Sequence, residues 1–148
     1  MDRKEVERRL YRYPECKATI AEIRRQYAQK ARPEFGMAIQ AGEVSDPTYG
    51  AVMQMERDSE YRRAREMVEV IEKVLARLDW TTRMVVEETY FRGQHRTMEG
   101  VAMRCGYSRM HCWRIRQQAI REFAQEMREP ERRIAKSCYK QPSNICYN

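Results

Sequence analysis

The side chains that could do chemistry in this sequence are concentrated in residues 97–123. Apolar residues recur there at intervals of three and four, at Cys112, Ile115, Ala119 and Phe123, which predicts one buried helix face. The other faces carry arginines, which a buried helix would not tolerate, together with further side chains that are expected to be exposed. The residues on these faces are Arg109, Met110, Trp113, Arg114 and Gln117. A guanidinium can pair bidentately with the acceptor edge of guanine. The chemistry that this pattern favours is therefore recognition of base edges.

Two short elements must position these side chains. Thr97 is suited to cap a helix over residues 98–104, and Ser108 is suited to cap the helix that follows. Between them, Cys105-Gly106-Tyr107 predicts a tight turn, because glycine accepts a positive φ at little cost. The result is helix-turn-helix geometry, in which the first turns of the second helix enter the major groove of DNA.

The positive charge of the chain is concentrated in the same region. The 148 residues carry 29 Lys and Arg against 22 Asp and Glu, a net charge of +7, and residues 91–128 hold eight Arg and three Glu, a net charge of +5. Such a basic segment favours an acidic polymer as partner and predicts salt-dependent binding. Two other interpretations stay open: a solvated helical surface, and a helical hairpin that contacts protein through Met110 and Trp113.

The cysteines predict neither a disulfide framework nor a metal site. They are odd in number and form no C-x-x-C pair: Cys16, Cys105, Cys112, Cys138 and Cys146. Free thiols in a reducing compartment fit this pattern best. His95 and His111 could be combined with two of these cysteines, but the spacing is not that of a zinc cluster, so no metal is expected.

Catalysis is not expected either. The carboxylates near the basic segment, Glu87, Glu88 and Glu99, are predicted to lie on helix surfaces as solvated charges, with no nucleophile, base or metal set around them. We therefore expect neither an enzyme nor a bound cofactor. No apolar run reaches the roughly 18 residues of a membrane span, and the N-terminus lacks the apolar core of a signal peptide. A cytoplasmic protein is expected.

The N-terminal part of the chain is predicted to form two helices and a loop. A short helix should end near Tyr11 and a longer one should begin at Glu15, because Pro14 lacks the amide donor that a helix interior needs. Residues 31–44 include one proline and two glycines and show no sustained period, which predicts a loop.

A long helix is predicted next. Asp46 is suited to the N-cap and Pro47 to the first helical position, and no proline interrupts the sequence through Leu78. Residues 64–78 carry an apolar stripe close to a heptad repeat. This stripe predicts either the seam of a homodimeric coiled coil or an intrachain hairpin with the preceding helix.

The remaining elements flank the helix-turn-helix. A short helix is expected over residues 83–91, ended by Gly93, and Pro130 is expected to end the last helix. Residues 137–148 are polar and predict a mobile tail. Four segments follow: N-terminal helices and loop at 1–46, a scaffold helix at 47–79, the helix-turn-helix domain at 80–129, and the tail at 130–148.

The C-terminal half resembles the last helix-turn-helix of sigma factors. The matching positions are Thr97-Met98-Glu99, Val101-Ala102, Cys105-Gly106-Tyr107-Ser108-Arg109, Ile115 and Ala119-Ile120-Arg121-Glu122-Phe123. The resemblance covers roughly residues 75–127 and implies that Arg109, Met110, Trp113 and Arg114 face the groove. A full sigma factor is not expected, because 148 residues leave no room for the promoter-melting and polymerase-binding regions. The implied fold is all-α, with N-terminal helices and a long helix that lead into a C-terminal sigma-like helix-turn-helix.

Taken whole, the chain resembles phage late-gene transcriptional activators of the RinA/ArpU type. This likeness rests on the segments YRYPECKATIAEI and SDPTYGAVMQME and on the C-terminal helix-turn-helix, and it spans most of residues 5–127. It implies a phage or prophage source, promoter-proximal double-stranded DNA as target and host RNA polymerase as a second partner, in the bacterial cytoplasm. The closest alternative is a phage small terminase subunit, which marks DNA for packaging and would form a ring.

The expected DNA-binding surface extends beyond the groove-facing positions. Arg96 precedes the first helix of the motif and is expected to reach only phosphate. The complete predicted surface is Arg96, Thr97, Ser108, Arg109, Met110, His111, Trp113, Arg114, Gln117 and Arg121.

Overall fold

The computed structural model describes residues 1–30, 47–92 and 96–138. Across these ranges the chain is helical, and no strand occurs in them, which confirms the predicted all-α fold. The elements are α1 (Arg3–Lys30), α2 (Pro47–Arg57), α3 (Ser59–Leu75), α4 (Trp80–Val86), a π-helical turn (Glu87–Phe91), α5 (Met98–Cys105) and α6 (Arg109–Cys138). The predicted loop at 31–44, the Asp46 cap, the stop at Gly93 and the last ten residues of the chain lie outside the described residues.

The first helix is continuous, so the predicted break at Pro14 is wrong. α1 buries the same face on both sides of the proline, at Leu10 and Tyr13 before it and at Cys16 and Ile20 after it. Burial of these side chains against the rest of the protein offsets the hydrogen bond that proline cannot donate.

The predicted long helix is two helices, so the prediction of an unbroken element to Leu78 is wrong. Asp58 stands between α2 and α3 in an extended conformation, and its carboxylate accepts hydrogen bonds from the amides of Glu60 at 2.9 Å and Tyr61 at 3.2 Å. A side chain that caps a new helix in this way competes with continuation of the previous one. The predicted start at Pro47 agrees with the structure.

The apolar stripe of α3 packs against α1 within the chain. The two helices run antiparallel, since the Tyr13 hydroxyl donates to Glu72 Oε1 at 3.2 Å while Arg24 Nη2 donates to the Tyr61 hydroxyl at 3.3 Å. Ile71, at the centre of the stripe, has no exposed surface. Of the two predicted roles for this stripe, the structure has the intrachain hairpin.

The buried side chains form two clusters. The larger one, here called the scaffold core, joins the α1–α3 hairpin to the π-helical turn and to the middle of α6, and includes Leu10, Ile71, Tyr90 and Phe123. The smaller one, here called the HTH core, consists of Val85, Val101, Ala102, Cys105 and Cys112, with Met84, Met98 and Ile115 packed against it.

Two continuous elements pass through both cores. In the α4 segment, Val85 packs in the HTH core and its neighbour Val86 packs in the scaffold core. Along α6, Cys112 packs in the HTH core and Phe123 in the scaffold core. The helix-turn-helix is therefore joined rigidly to the α1–α3 hairpin.

A carboxylate clamp also ties α6 to α3. The side chain of Glu126 is 8% exposed, and it accepts hydrogen bonds from Lys73 and from Arg77 Nη2, the latter at 2.7 Å. The hydrogen bond from Lys73, followed by the contact with Arg77, holds the pKa of Glu126 below its usual value although burial opposes this. The carboxylate stays ionised and fixes the C-terminal half of α6.

The segment before the helix-turn-helix begins earlier than predicted and changes its helical form. Asp79 caps α4 at Trp80 by accepting from the amide of Thr82 at 3.1 Å and from its hydroxyl at 2.6 Å, so the predicted start at Arg83 is wrong. After Val86 the chain forms the π-helical turn, and Thr89 Oγ1 donates to the carbonyl of Val85 at 2.6 Å. Three consecutive residues of this turn are buried.

The last helix does not end at Pro130. α6 continues through this proline to Cys138. The predicted stop at Pro130 is therefore wrong, and the backbone is still helical where the tail was predicted to begin. The first part of α6 is anchored in both cores, and propagation of an existing helix costs far less than starting one.

None of the described helices has the length and apolar character needed to cross a membrane.

Candidate nucleic-acid interface

The caps and the turn of the helix-turn-helix agree with the sequence prediction. Thr97 Oγ1 accepts from the amide of Gly100 at 3.2 Å, and Ser108 Oγ accepts from the amide of His111 at 3.2 Å. Gly106 ends α5 in the left-handed region, with φ 72° and ψ 25°, where a side chain would be strained. These local interactions set the direction in which α6 leaves the turn.

The inner face of the motif is apolar and chemically inert. Burial raises the pKa of the Cys105 and Cys112 thiols, which are therefore neutral and poor nucleophiles at physiological pH. Within the described parts of the chain, no group of three or more His, Cys, Asp or Glu side chains is arranged to hold a metal ion. His95 lies outside those parts.

The opposite side of α6 presents four side chains in one row, here called the outer stripe. They are spaced by four, three and four residues, so they share one helix face about 16 Å long. The row consists of Met110, Arg114, Gln117 and Arg121. Met110, Arg114 and Arg121 are exposed, whereas Gln117 is half-buried, and its Nε2 atom is buried with no hydrogen-bond partner among the described residues.

Three further predicted residues flank the outer stripe. Arg109, at the start of α6, is exposed, and its Nη1 lies 2.9 Å from Glu99 Oε1. A hydrogen bond to its own backbone amide and the nearby Arg109 guanidinium lower the pKa of Glu99, so this exposed ion pair forms at neutral pH. Trp113 is 45% exposed beside the stripe, and the exposed ring of His111 lies 5.1 Å from that of Tyr107.

Arg96 does not share this surface. Its side chain is 17% exposed and forms an ion pair with the buried carboxylate of Glu88, which also contacts Arg92 at 3.2 Å. The interpretation of Glu88 as a solvated charge is therefore wrong, and the side chain that was expected to reach phosphate is held by an internal partner. Glu87 and Glu99, by contrast, have partly or fully exposed side chains.

A second internal ion pair links α6 directly to α1. Arg116 Nη2 donates to Glu7 Oε1 at 2.7 Å and Arg116 Nε donates to the Tyr90 hydroxyl at 3.0 Å, while Tyr90 itself donates to Glu7 at 3.1 Å. Burial is the largest influence on Glu7 and opposes ionisation, yet the contacts with Arg116 leave its pKa below the usual value of 4.5. Burial raises the pKa of Tyr90 well above its usual value, so its hydroxyl stays protonated. The sequence gives no local sign of this contact, because its partners are more than a hundred residues apart.

Three arginines of the basic segment have neither a carboxylate nor a carbonyl partner in the described part of the chain. Arg92, Arg96, Arg109 and Arg116 pair with carboxylates, and Arg128 donates to the carbonyl of Met1 at 3.0 Å. Arg104, Arg114 and Arg121 are exposed and have no such partner among the described residues. Arg104 was missing from the predicted surface. Positions 101, 102 and 105 are buried and share one face of α5, and the helical repeat places Arg104 outside that face, which is the signal that would have indicated its exposure.

Over residues 8–125 the chain matches the model of a family described as Protein of unknown function (DUF722). The chain belongs to this family. The match begins in α1 and ends in α6, so the matched part of this chain includes both the α1–α3 pairing and the helix-turn-helix. No curated protein and no solved structure matches the chain.

Proposed function

We propose that this protein is a sequence-specific transcriptional regulator that binds double-stranded DNA through α6. The observation that carries the proposal is the outer stripe: Arg114 and Arg121 are exposed and have no ion-pair partner among the side chains that the structure describes, and they lie on the second helix of a helix-turn-helix whose opposite face is packed in the HTH core. An unpaired guanidinium on an exposed helix is the side chain that pairs best with guanine edges and with phosphate.

The proposed mode of binding inserts the first turns of α6 into the major groove. Arg114 reads a guanine by two parallel hydrogen bonds, and Arg104 and Arg121 contact phosphates on either side. Arg109 also contacts a phosphate, for which its guanidinium leaves the ion pair with Glu99. This exchange is inexpensive because an exposed ion pair is worth only about 0–1 kcal/mol.

The resemblance to sigma factors and to phage late-gene activators extends the proposal. It supports activation of phage late genes in the bacterial cytoplasm, with host RNA polymerase as a second partner. A small terminase subunit would share the helix-turn-helix but assemble into a ring, so size-exclusion chromatography with light scattering separates the two functions. We expect a monomer or dimer.

The experiment that tests the proposal is selection of binding sites from random duplex DNA, followed by affinity measurements on the selected and a scrambled duplex. Arg114→Ala should lose about 1–3 kcal/mol of binding energy on the selected duplex and little on the scrambled one. Arg62→Ala is the matched control: it removes the same charge from the exposed first turn of α3 and should change neither affinity. Failure to select any sequence, or equal losses for Arg114→Ala on both duplexes, would contradict sequence-specific recognition by this face.

A further inference from the structure

The first residue of the outer stripe is apolar, whereas the other three residues of the stripe are polar or charged. Met110 is 58% exposed and belongs to neither core. It shares its helix face with Arg114 and Arg121, neither of which pairs with a carboxylate in the described part of the chain. A polar residue would be solvated equally well at this position, so packing within the chain gives no reason for a methionine there.

We infer that Met110 reads the C5-methyl group of a thymine in the DNA site, so that the target contains a specific T·A base pair beside the guanine read by Arg114. This inference rests on the proposed function. Thymine is the base that presents an apolar group in the major groove, and apolar side chains recognise it by contact with that methyl group. A thioether side chain is flexible and polarisable, so it can follow the surface of the methyl group closely.

The spacing of Met110 and Arg114 along α6 predicts how far apart the thymine and the guanine lie. Met110 and Arg114 are four residues apart, which corresponds to a rise of about 6 Å along the helix. Successive bases of one strand are about 3.4 Å apart. The thymine should therefore lie about two base steps from the guanine.

The test uses the duplex obtained by selection, with each thymine replaced in turn by deoxyuridine, which removes the C5-methyl group and nothing else. At one position the unmodified protein should lose about four-fold in affinity, the change expected for one buried methyl-sized group. In Met110→Ala the same replacement should have no effect, and in Met110→Leu the sensitivity should return. Met103→Ala is the matched control, because Met103 is exposed on α5 outside the stripe, and it should keep the full sensitivity.

The outcomes separate this inference from the proposed function. A selected duplex without a thymine near the guanine, or a deoxyuridine effect that survives in Met110→Ala, would overturn the reading of thymine by Met110 and leave the DNA-binding function intact. Absence of any duplex binding would overturn both.

Discussion

The scaffold core and the HTH core differ in how much apolar surface they bury. The scaffold core gathers side chains from four regions of the chain and fully buries large residues such as Tyr61 and Phe123. The HTH core is built from small side chains, valines, one alanine and two cysteines. A cluster of that size cannot stabilise an independent domain. The surface proposed to read DNA therefore depends on a scaffold that lies outside that surface.

The dependence is carried by covalent continuity and by ion pairs, which include the clamp at Glu126. α6 and the α4 segment each contribute to both cores, so neither core can open without disturbing the other. Arg116 adds a contact from the N-terminal part of α6 to Glu7 on α1. The orientation of the outer stripe is thus set by the whole molecule.

The largest expected effect comes from a charge placed in the scaffold core. Ile71→Asp should unfold or aggregate the whole chain, helix-turn-helix included, because an unpaired carboxylate at a fully buried site costs more than about 4 kcal/mol. Far-UV circular dichroism measures the loss. Ile71→Val, which should cost about 1 kcal/mol, is the control. A folded Ile71→Asp protein with a changed oligomeric state would instead identify α3 as a dimer seam.

Equal truncations in the two cores test whether they unfold together. Val74→Ala in the scaffold core and Val101→Ala in the HTH core each remove side-chain volume from a fully buried site, and each should cost about 2 kcal/mol of the same unfolding free energy. Both tryptophans of the chain, Trp80 and Trp113, lie in α4 and α6, so fluorescence reports on the helix-turn-helix while circular dichroism reports on all helices. We expect the two denaturation curves to coincide in every variant. Fluorescence that changes at lower denaturant in Val101→Ala would show that the HTH core unfolds separately.

A smaller effect is expected from the ion pair between α6 and α1. Arg116→Ala should cost about 1–2 kcal/mol of stability, less than a fully buried pair because both side chains retain 19% exposure. It should also weaken binding to the selected duplex, since α6 loses one of its supports. Arg3→Ala removes the other cation near Glu7, at 3.4 Å and more exposed, and should have little effect on either measurement.

The pH dependence of stability gives an independent check on the same pair. The pKa of Glu7 is lowered from 4.5 in the folded state, so the ion pair stabilises the protein above that pH, and this contribution is lost as the pH falls through the folded-state pKa. Denaturation curves below pH 4.5 should therefore show a smaller loss of stability in Arg116→Ala than in the unmodified protein. If Arg116→Ala and the unmodified protein lost stability equally at acid pH, the Arg116 guanidinium would not be the group that lowers the pKa of Glu7.

The sequence predicted those features that depend on local chemistry. Thr97, Gly106 and Ser108 act within three residues of themselves, so the caps and the turn of the motif were correctly placed. Asp58 carries the same kind of local signal, an N-cap residue with Glu60 in the first turn that follows, and it was missed because the apolar pattern on both sides suggested one helix.

Features that depend on distant residues could not be predicted. Pro14 lies in a continuous helix because of what α1 packs against, and the partner of Arg96 is a carboxylate whose burial follows from the π-helical turn. For the candidate site this distinction matters directly. The net charge of +5 in residues 91–128 overstates the charge available to DNA, since Arg92, Arg96 and Arg116 are held by internal carboxylates.

The salt dependence of duplex binding tests the central claim most directly. Three exposed arginines that the proposed mode of binding places at phosphates, Arg104, Arg109 and Arg121, can replace counterions on the DNA. The logarithm of the affinity for a random duplex should therefore fall with the logarithm of the salt concentration with a slope of about −3. Arg121→Ala should reduce the slope by about one unit, whereas Arg62→Ala should leave it unchanged. A slope near zero, or equal slopes for the unmodified protein and Arg121→Ala, would contradict binding of DNA by this face of α6.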